Sequence, residues 1–589
     1  MLNQTLKDRL ISRVLPNVQT PAQYLGGELN MVRKDHRQMR GTLCLAFPDA
    51  YTIGMSHHGL QVLYSLMNAR DDWACERAFT PWPDMEQQLR GQGLPLFSLE
   101  TFTPLSEFDV VGFSLQYEVC SPNILTMLDL GGIPLHATER TLHDPLVIAG
   151  GPCAQNPETM APFIDLFVTG DGEPSLPVIC DLWRDLKEAA LSTGPASRGA
   201  AGRQQREELL LEMARRLPFA YVPRFYEPEY RDGRFVALNR THPDVPETIE
   251  PSVITDLEGI PLPTAPIVPY VECVHDRIAI EIMRGCPWQC RFCQSTVIKR
   301  PLRVRSVETI VQGALESYRN TGFNEISILS LSSSDYPYFE ELVLRLKEVF
   351  RPLGVNVSVP SLRVNEQLRS IAELLGNERR ARPDAGPEVA RDDMREQIRK
   401  DQNDDLYEVP RRFATTTRRS TYHVRSARRT PGRSGWHHDM AETIARISKE
   451  ERGRYAKITA SVSNFVPKAT PYQWNSMQTR DYFRWAQRYR GSKYAARRFA
   501  TTTRRSSCIS CAVCPANARS IWMASSTWPR RLRGSARRNE AGTPRSRPAF
   551  PTSCRRPTRR INGTACRRAI ISAGLSDICA SKYANAASA

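Results

Sequence analysis

The first 190 residues alternate short apolar runs with helix-length segments. Thr42-Leu43-Cys44-Leu45-Ala46-Phe47 has no polar face and reads as a strand covered on both sides, and Leu60 to Met67 after it has helical spacing. Asp109-Val110-Val111-Gly112-Phe113-Ser114-Leu115 repeats the pattern, with a helix expected over Asn123 to Leu130. Leu146-Val147-Ile148-Ala149-Gly150-Gly151 and Asp165-Leu166-Phe167-Val168-Thr169-Gly170 are strands that run into glycine. Continuous apolar strands separated by helices predict a parallel, doubly wound sheet. Ligands in such sheets bind outside the carboxyl ends of the strands, where these glycines fall.

A second alternating region begins near Val271. Arg277 to Ile282, Glu325 to Leu331 and Val355 to Val359 read as strands, Val307 to Arg319 as a helix, and Lys457 to Val466 as a late strand. The fold class expected is α/β: a doubly wound N-terminal sheet followed by a partial or full (β/α) barrel, with its site at the carboxyl ends of the strands. The domain boundaries expected are 1–190 for the first unit and 191–270 for an insertion and linker. Ser, Gly, Ala and Arg dominate Leu191 to Gln205, and Pro243 to Pro269 is proline-rich. The barrel is expected over 271–490 and a basic tail over 491–589.

A chain of 589 residues suffices for two or three domains. No run approaches the roughly 18 apolar residues of a membrane span, and the N-terminus lacks the apolar core of a signal peptide. Fifteen cysteines, an odd number, point to a reducing compartment and to metal or thiol chemistry, so a cytoplasmic location is expected. The formal charge of +17 suggests nucleic acid until its distribution is examined. Arg497 to Ala589 carries 18 Arg and one Lys against two acids, so the whole excess lies there and residues 1–496 are balanced.

The chemistry concentrates in Arg284-Gly285-Cys286-Pro287-Trp288-Gln289-Cys290-Arg291-Phe292-Cys293. Its Cys-x3-Cys-x2-Cys spacing puts Cys286, Cys290 and Cys293 on one short loop at a strand end, able to converge on one metal centre. Closed zinc and iron–sulfur sites take four protein ligands, so three with no evident fourth imply an open position. Spacing alone leaves a zinc knuckle open. The loop resembles that of the radical S-adenosylmethionine (SAM) superfamily. The resemblance implies that the three cysteines hold a 4Fe-4S cluster whose fourth iron is chelated by SAM. It also implies reductive cleavage of SAM to a 5′-deoxyadenosyl radical, with an electron donor such as a ferredoxin or flavodoxin. Phe292 would meet the adenine and Ser332, Ser333 and Ser334 the SAM amino group, a polar turn ahead of the next helix being the alternative for the serines. Arg363 would face the SAM carboxylate or a substrate anion, with an exposed salt bridge as the alternative. The resemblance identifies no catalytic acid or base and no substrate.

The N-terminal region resembles the cobalamin-binding-like domain that precedes many such barrels, through Ser114-Leu115, Gly150-Gly151-Pro152, Asn156-Pro157-Glu158 and Gly170-Asp171-Gly172-Glu173. Cobalamin binders of this fold carry Asp-x-His-x-x-Gly. The corresponding Gly54-Met55-Ser56-His57-His58-Gly59 lacks that spacing, so His57 is expected to be a loop or helix-cap residue and not a cobalt ligand. Phe465-Val466-Pro467-Lys468 with Pro471-Tyr472-Gln473-Trp474 resembles a run found in one cobalamin-domain radical SAM family.

Two stretches break the pattern. Arg411 to Trp436 holds eight Arg and no acid and shows no regular period, and its decamer Arg411 to Ser420 recurs identically at Arg497 to Ser506. The tail cannot bury enough apolar surface to offset chain entropy and is expected to be disordered. We read these segments, and Ala381 to Gly386, as out-of-frame translation; an intact frame with supporting peptides beyond Arg497 would overturn that. Cys508, Cys511 and Cys514 then owe their spacing to accident. The function expected is a radical SAM enzyme of unknown substrate. Alternatives are a catalytically impaired cluster-binding remnant, or an RNA-binding or RNA-modifying protein that uses the basic tail.

Overall fold

A computed structural model of the chain describes residues 2–231 and 234–359, with short stretches between 396 and 462. After a short helix α1 (Gln4–Arg9), six strands form one sheet: β1 (Gly41–Phe47), β2 (Trp73–Phe79), β3 (Val110–Ser114), β4 (Leu146–Gly150), β5 (Leu166–Val168) and β6 (Ala220–Tyr221). Their spatial order is β2-β1-β3-β4-β5-β6. The first five run parallel and β6 pairs antiparallel with β5. The order reverses between β1 and β3, the kind of crevice where doubly wound sheets bind ligands. The intervening helices are α2 (Tyr51–Gly54), α3 (His58–Asn68), α4 (Pro83–Gln92), α5 (Ser121–Leu130), α6 (Gly172–Thr193) and α7 (Gly199–Arg216).

All seven residues of β1 are buried, as its apolar run requires. β2 is also buried throughout, although Glu76 and Arg77 interrupt its apolar pattern. Tertiary partners accommodate both charges: Glu76 accepts from Ser98 and Thr101, and Arg77 pairs with Glu100 at 2.6 Å and Glu28 at 3.2 Å. Buried charges are tolerated only with such partners.

Residues 191–205 lie mostly on the surface, at the corner between two helices of the first unit. α6 reaches Thr193, α7 begins at Gly199, and Leu209, Leu210 and Met213 of α7 join the first core. Arg206 is fully buried and pairs with Asp165 at 2.9 Å. The sheet therefore runs on to Tyr221, past the expected boundary at 190. The polar composition there belongs to the exposed α6–α7 corner and to one buried ion pair. A hairpin, β7 (Tyr226–Arg231) and β8 (Arg234–Arg240), follows. The proline-rich stretch then returns along the first unit, with Ser252 bridging Gly170 and Val268 bridging Leu29.

The second region contributes three parallel strands, β9 (Ile278–Glu281), β12 (Glu325–Leu329) and β13 (Asn356–Ser358), in the order β13-β12-β9. Between β9 and β12 lie β10 (Met283–Arg284), α8 (Ser295–Ile298), β11 (Arg303–Val304) and α9 (Val307–Thr321); α10 (Phe339–Phe350) joins β12 to β13. The hydroxyl of Ser306 caps α9 by accepting from the Thr309 amide, and Gly322 ends it in the left-handed region at φ +70°. α10 buries Phe339, Leu342, Val343, Leu346 and Phe350, a helical stripe. Each such side chain is worth about 1.5–3 kcal/mol of burial. They pack with Ile278, Ile280, Ile326 and Ile328 into a core separate from the first.

Beyond residue 359 the described backbone includes a parallel pair, β14 (Thr421–Ser426) and β15 (Lys457–Val462). β15 matches the late strand expected there. β14 lies within 411–436, where the sequence shows no regular period: Thr421, Tyr422 and Val424 favour extended backbone, and a distant parallel partner supplies the ladder that local periodicity does not reveal. Arg363, the Phe465 to Trp474 run, the tail from 491 and Cys508, Cys511 and Cys514 lie outside the described residues.

Candidate functional site

The cysteine loop leaves the carboxyl end of β9, and a two-stranded neck closes it. β10 and β11 pair antiparallel, with Met283 opposite Val304 and Arg284 opposite Arg303. Gly285 starts the loop at φ +96°; a Cβ there would lie 2.7 Å from the carbonyl oxygens of Lys299 and Pro301, so the neck has no room for a side chain. Inside the loop the Cys293 amide donates to the Cys290 carbonyl at 3.0 Å, and the Thr296 hydroxyl donates to the Cys293 carbonyl at 2.8 Å.

Cys286, Cys290 and Cys293 form no disulfide. Cys286 and Cys290 are each 9% exposed, and Cys293 is half-buried. Burial pushes the Cys286 thiol up; the Trp288 amide pulls it down, and the nearby Cys290, Asp335 and Cys293 push it further up. The three sulfurs thus share one electrostatic neighbourhood. Among the described residues, no group of three or more His, Cys, Asp or Glu side chains is gathered for metal binding, these three included. The donor set nevertheless suits a thiolate-bound cluster: three unoxidised cysteines on one loop, with a cavity of about 410 Å³ bordered by Cys286, Pro287 and Arg300–Leu302.

The end of β12 meets this loop. Trp288 Nε1 donates to Asp335 Oδ2 at 2.6 Å, and the Ser332 hydroxyl donates to the same oxygen. Ser333 and Ser334 are fully buried, and Ser333 shares a hydrogen bond with Ser330 at 2.8 Å. Residues Ser333–Asp335 form a single 3-10 turn, while the N-cap of α10 is Tyr338, so the serines do not cap that helix. Phe292 is half-buried between Cys290 and Cys293.

A cavity of about 740 Å³ lies between the carboxyl ends of the first sheet and those of β9 and β12, within the size range of small-molecule sites. Ser114, Gly150–Pro152 and Gly170–Glu173 line it from one side, and Glu281, Arg284, Lys299 and Ser330 from the other. His57 also borders it, as the N-cap of α3: Nδ1 accepts from the Leu60 amide at 3.0 Å, the ring packs on Phe47, and it hydrogen-bonds Gln116. Burial lowers its pKa to about 4. A neutral, capped histidine with its ring committed fits the expected helix-cap role.

Two family descriptions match the chain. The N-terminal region of radical SAM proteins matches residues 59–223, and the radical SAM superfamily matches residues 280–422, which hold the cysteine loop. Together they span more than half of the sequence. The chain belongs to the radical SAM superfamily. An uncharacterized protein of Methanocaldococcus jannaschii is 24% identical over 386 residues, 64% of this chain and 71% of the relative. Among solved structures, the radical SAM methyltransferase TsrM of Kitasatospora setae, with cobalamin and a 4Fe-4S cluster bound, aligns over 72% of this chain and 75% of that one at 14% identity and a TM-score of 0.44. TsrM with tryptophan and the SAM analogue aza-SAM gives a TM-score of 0.42 at 14% identity, over 72% of each chain.

In this radical SAM protein, sequence reasoning assigned no role to the charges that join the two match regions. Arg284 binds Asp171 at 3.2 Å, Glu173 at 2.6 Å and Glu281 at 2.8 Å, and Arg303 binds Asp171 at 2.6 Å. Burial opposes the charge on Asp171 and on Glu281. It is the largest single influence on each, but Arg284 together with the Ile254 amide, Lys299 and Arg303 overcomes it at Asp171, and Arg284 together with His58 and Arg305 at Glu281, so both carboxyls sit below their usual range. Gln294 adds a hydrogen bond to the Pro152 carbonyl at 3.0 Å. The available signal was a pair of acids after a strand-ending glycine and a lone arginine before the first cysteine, but nothing local says that they meet.

Proposed function

We propose that this protein is a radical SAM enzyme in which Cys286, Cys290 and Cys293 bind a 4Fe-4S cluster and the substrate enters the cavity between the two sheets. The observation that carries this reading is the three-cysteine loop within the superfamily match, set at a strand end beside that cavity. When bound, the cluster supplies one electron, drawn from a ferredoxin or flavodoxin, to cleave SAM into methionine and a 5′-deoxyadenosyl radical. The protein's part is to hold and exclude. The loop keeps two of its three thiols buried, and Trp288 ties it to the turn at Ser332–Asp335. That tie supports the turn as the holder of the SAM amino end, while Phe292 as the neighbour of the adenine and Arg363 as the partner of the SAM carboxylate follow from the family resemblance. The glycines at 150, 151 and 170 lie on the opposite wall of the cavity, where Gly151 and Gly170 allow close backbone packing against Leu115 and Ser252. His57, whose Nδ1 already serves α3, is not among the residues proposed to hold a cobalamin there.

The test is anaerobic reconstitution with iron and sulfide, followed by dithionite and SAM. Formation of 5′-deoxyadenosine is expected from the wild-type chain and not from Cys286→Ser. A fully loaded cluster that yields no deoxyadenosine would favour the impaired remnant.

A further inference from the structure

The neck of the cysteine loop contains an arrangement that would be repulsive by itself. Arg284 and Arg303 stand directly opposite each other on an antiparallel ladder, where facing like charges destabilise the pair. Asp171, from the first domain, separates them: Oδ1 takes Arg284 at 3.2 Å and Oδ2 takes Arg303 at 2.6 Å. Glu281, on β9 beside the neck, already pairs with Arg284 at 2.8 Å, and Glu173 of the first domain adds a further partner, using both oxygens, at 3.1 and 2.6 Å. Lys299, still inside the loop, lies 3.9 Å from Asp171. Asp171 is the N-cap of α6 and Glu173 lies in its first turn, just after Gly170, which at φ +97° packs its Cα against the Ser252 backbone. Asp171 also accepts from the Ile254 amide, and Arg303 donates to the Ile254 carbonyl. The turn is thus fixed to its own domain while holding both strands of the neck. Arg303 and Asp171 are nearly inaccessible, so water screens this interaction little.

We propose that Asp171 and Glu173 are positioning residues for the cluster: the first domain neutralises and closes the neck, and so presets the three cysteines. This rests on the cysteine-cluster reading above. The effect passes through the neck, and neither acid contacts the thiols in the geometry described.

The experiment uses the full chain without metal and follows alkylation of individual cysteines by iodoacetamide and mass spectrometry. In Asp171→Asn, Cys286 and Cys290 should label about tenfold faster than in wild type, an opening easier by about 1.4 kcal/mol. Cys44 and Cys75, buried in β1 and β2, should keep their wild-type rates. The double variant Asp171→Asn/Arg303→Gln removes the facing charge and should restore most of the protection, which a purely structural role for Asp171 does not predict. Glu173→Gln serves where Asp171→Asn fails to fold, with the same selective rise in loop labelling expected. Unchanged loop labelling in both single variants overturns the proposal, as does labelling that rises equally at Cys44. After reconstitution, loop-selective variants should also hold less iron and show a changed electron paramagnetic resonance spectrum of the reduced cluster. If wild type takes up no iron, or Cys286→Ser takes up as much, the cluster reading fails, and the alkylation result still decides the neck.

Discussion

His57 offers a quantitative test of whether the first domain uses a histidine as a ligand or as a helix cap. Its ring is neutral in the folded protein, with burial holding its pKa near 4 and with His58 and Lys299 adding to the depression. In the unfolded chain it returns to about 6.5. The sign follows directly: below about pH 6.5 the unfolded state takes up a proton that the folded state refuses, so stability is full above 6.5 and is lost as pH falls toward 4. For a folded value near 4, the loss is about 1.4 kcal/mol at pH 5.5 and about 2.6 kcal/mol at pH 4.5. His57→Asn removes the titration and keeps a side chain able to accept from the Leu60 amide. It also loses the contact with Phe47, at 5.0 Å between ring centroids, at a cost that does not vary with pH. Urea unfolding followed by circular dichroism at pH 7.5, 5.5 and 4.5 should therefore show the wild-type advantage shrinking by those amounts. Parallel pH profiles for the two proteins, within about 0.5 kcal/mol, would refute the reasoning.

Three further outcomes are expected. Cys286→Ser, Cys290→Ser and Cys293→Ser should each reduce iron bound per chain after reconstitution to a small fraction of wild type, because three thiolates leave no spare ligand; wild-type iron content in any of them would remove that cysteine from the site. Asp335→Ala deletes the acceptor shared by Trp288 and Ser332, and loss of a hydrogen bond worth about 1 kcal/mol should weaken SAM retention by the loaded protein roughly fivefold in equilibrium dialysis; an unchanged dissociation constant would separate the turn from SAM. Gly170→Ala would set a Cβ 2.0 Å from the Ser252 carbonyl oxygen at φ +97°, so a destabilisation of about 3 kcal/mol or more is expected in thermal unfolding; a wild-type melting temperature would contradict the close approach.

Where the apolar pattern was unbroken, the elements could be read directly. β1, β3 and β4 are continuous apolar runs because both faces of a parallel sheet are covered. β2 was hidden by Glu76 and Arg77, whose partners Glu28, Ser98, Glu100 and Thr101 come from other segments. α7 was hidden by composition, since Arg206 reads as surface until Asp165 is brought to it. β14 was hidden because its partner lies some thirty residues further along the chain.

The same division holds for the site. The sequence by itself located the candidate chemistry: three cysteines at Cys-x3-Cys-x2-Cys after a buried strand mark a thiolate site proposed to hold a cluster, because ligand type and spacing are local properties. It also determined that His57 lacks the spacing of a cobalt ligand. Only the tertiary structure decided what holds that loop. The facing pair Arg284 and Arg303, the bridging Asp171 and the supporting Glu173 come from two domains more than a hundred residues apart. Their electrostatic meaning exists only where the chain has brought them within 3.2 Å of one another. A buried charge carries no periodicity, so its partner is a fact of packing and not of pattern.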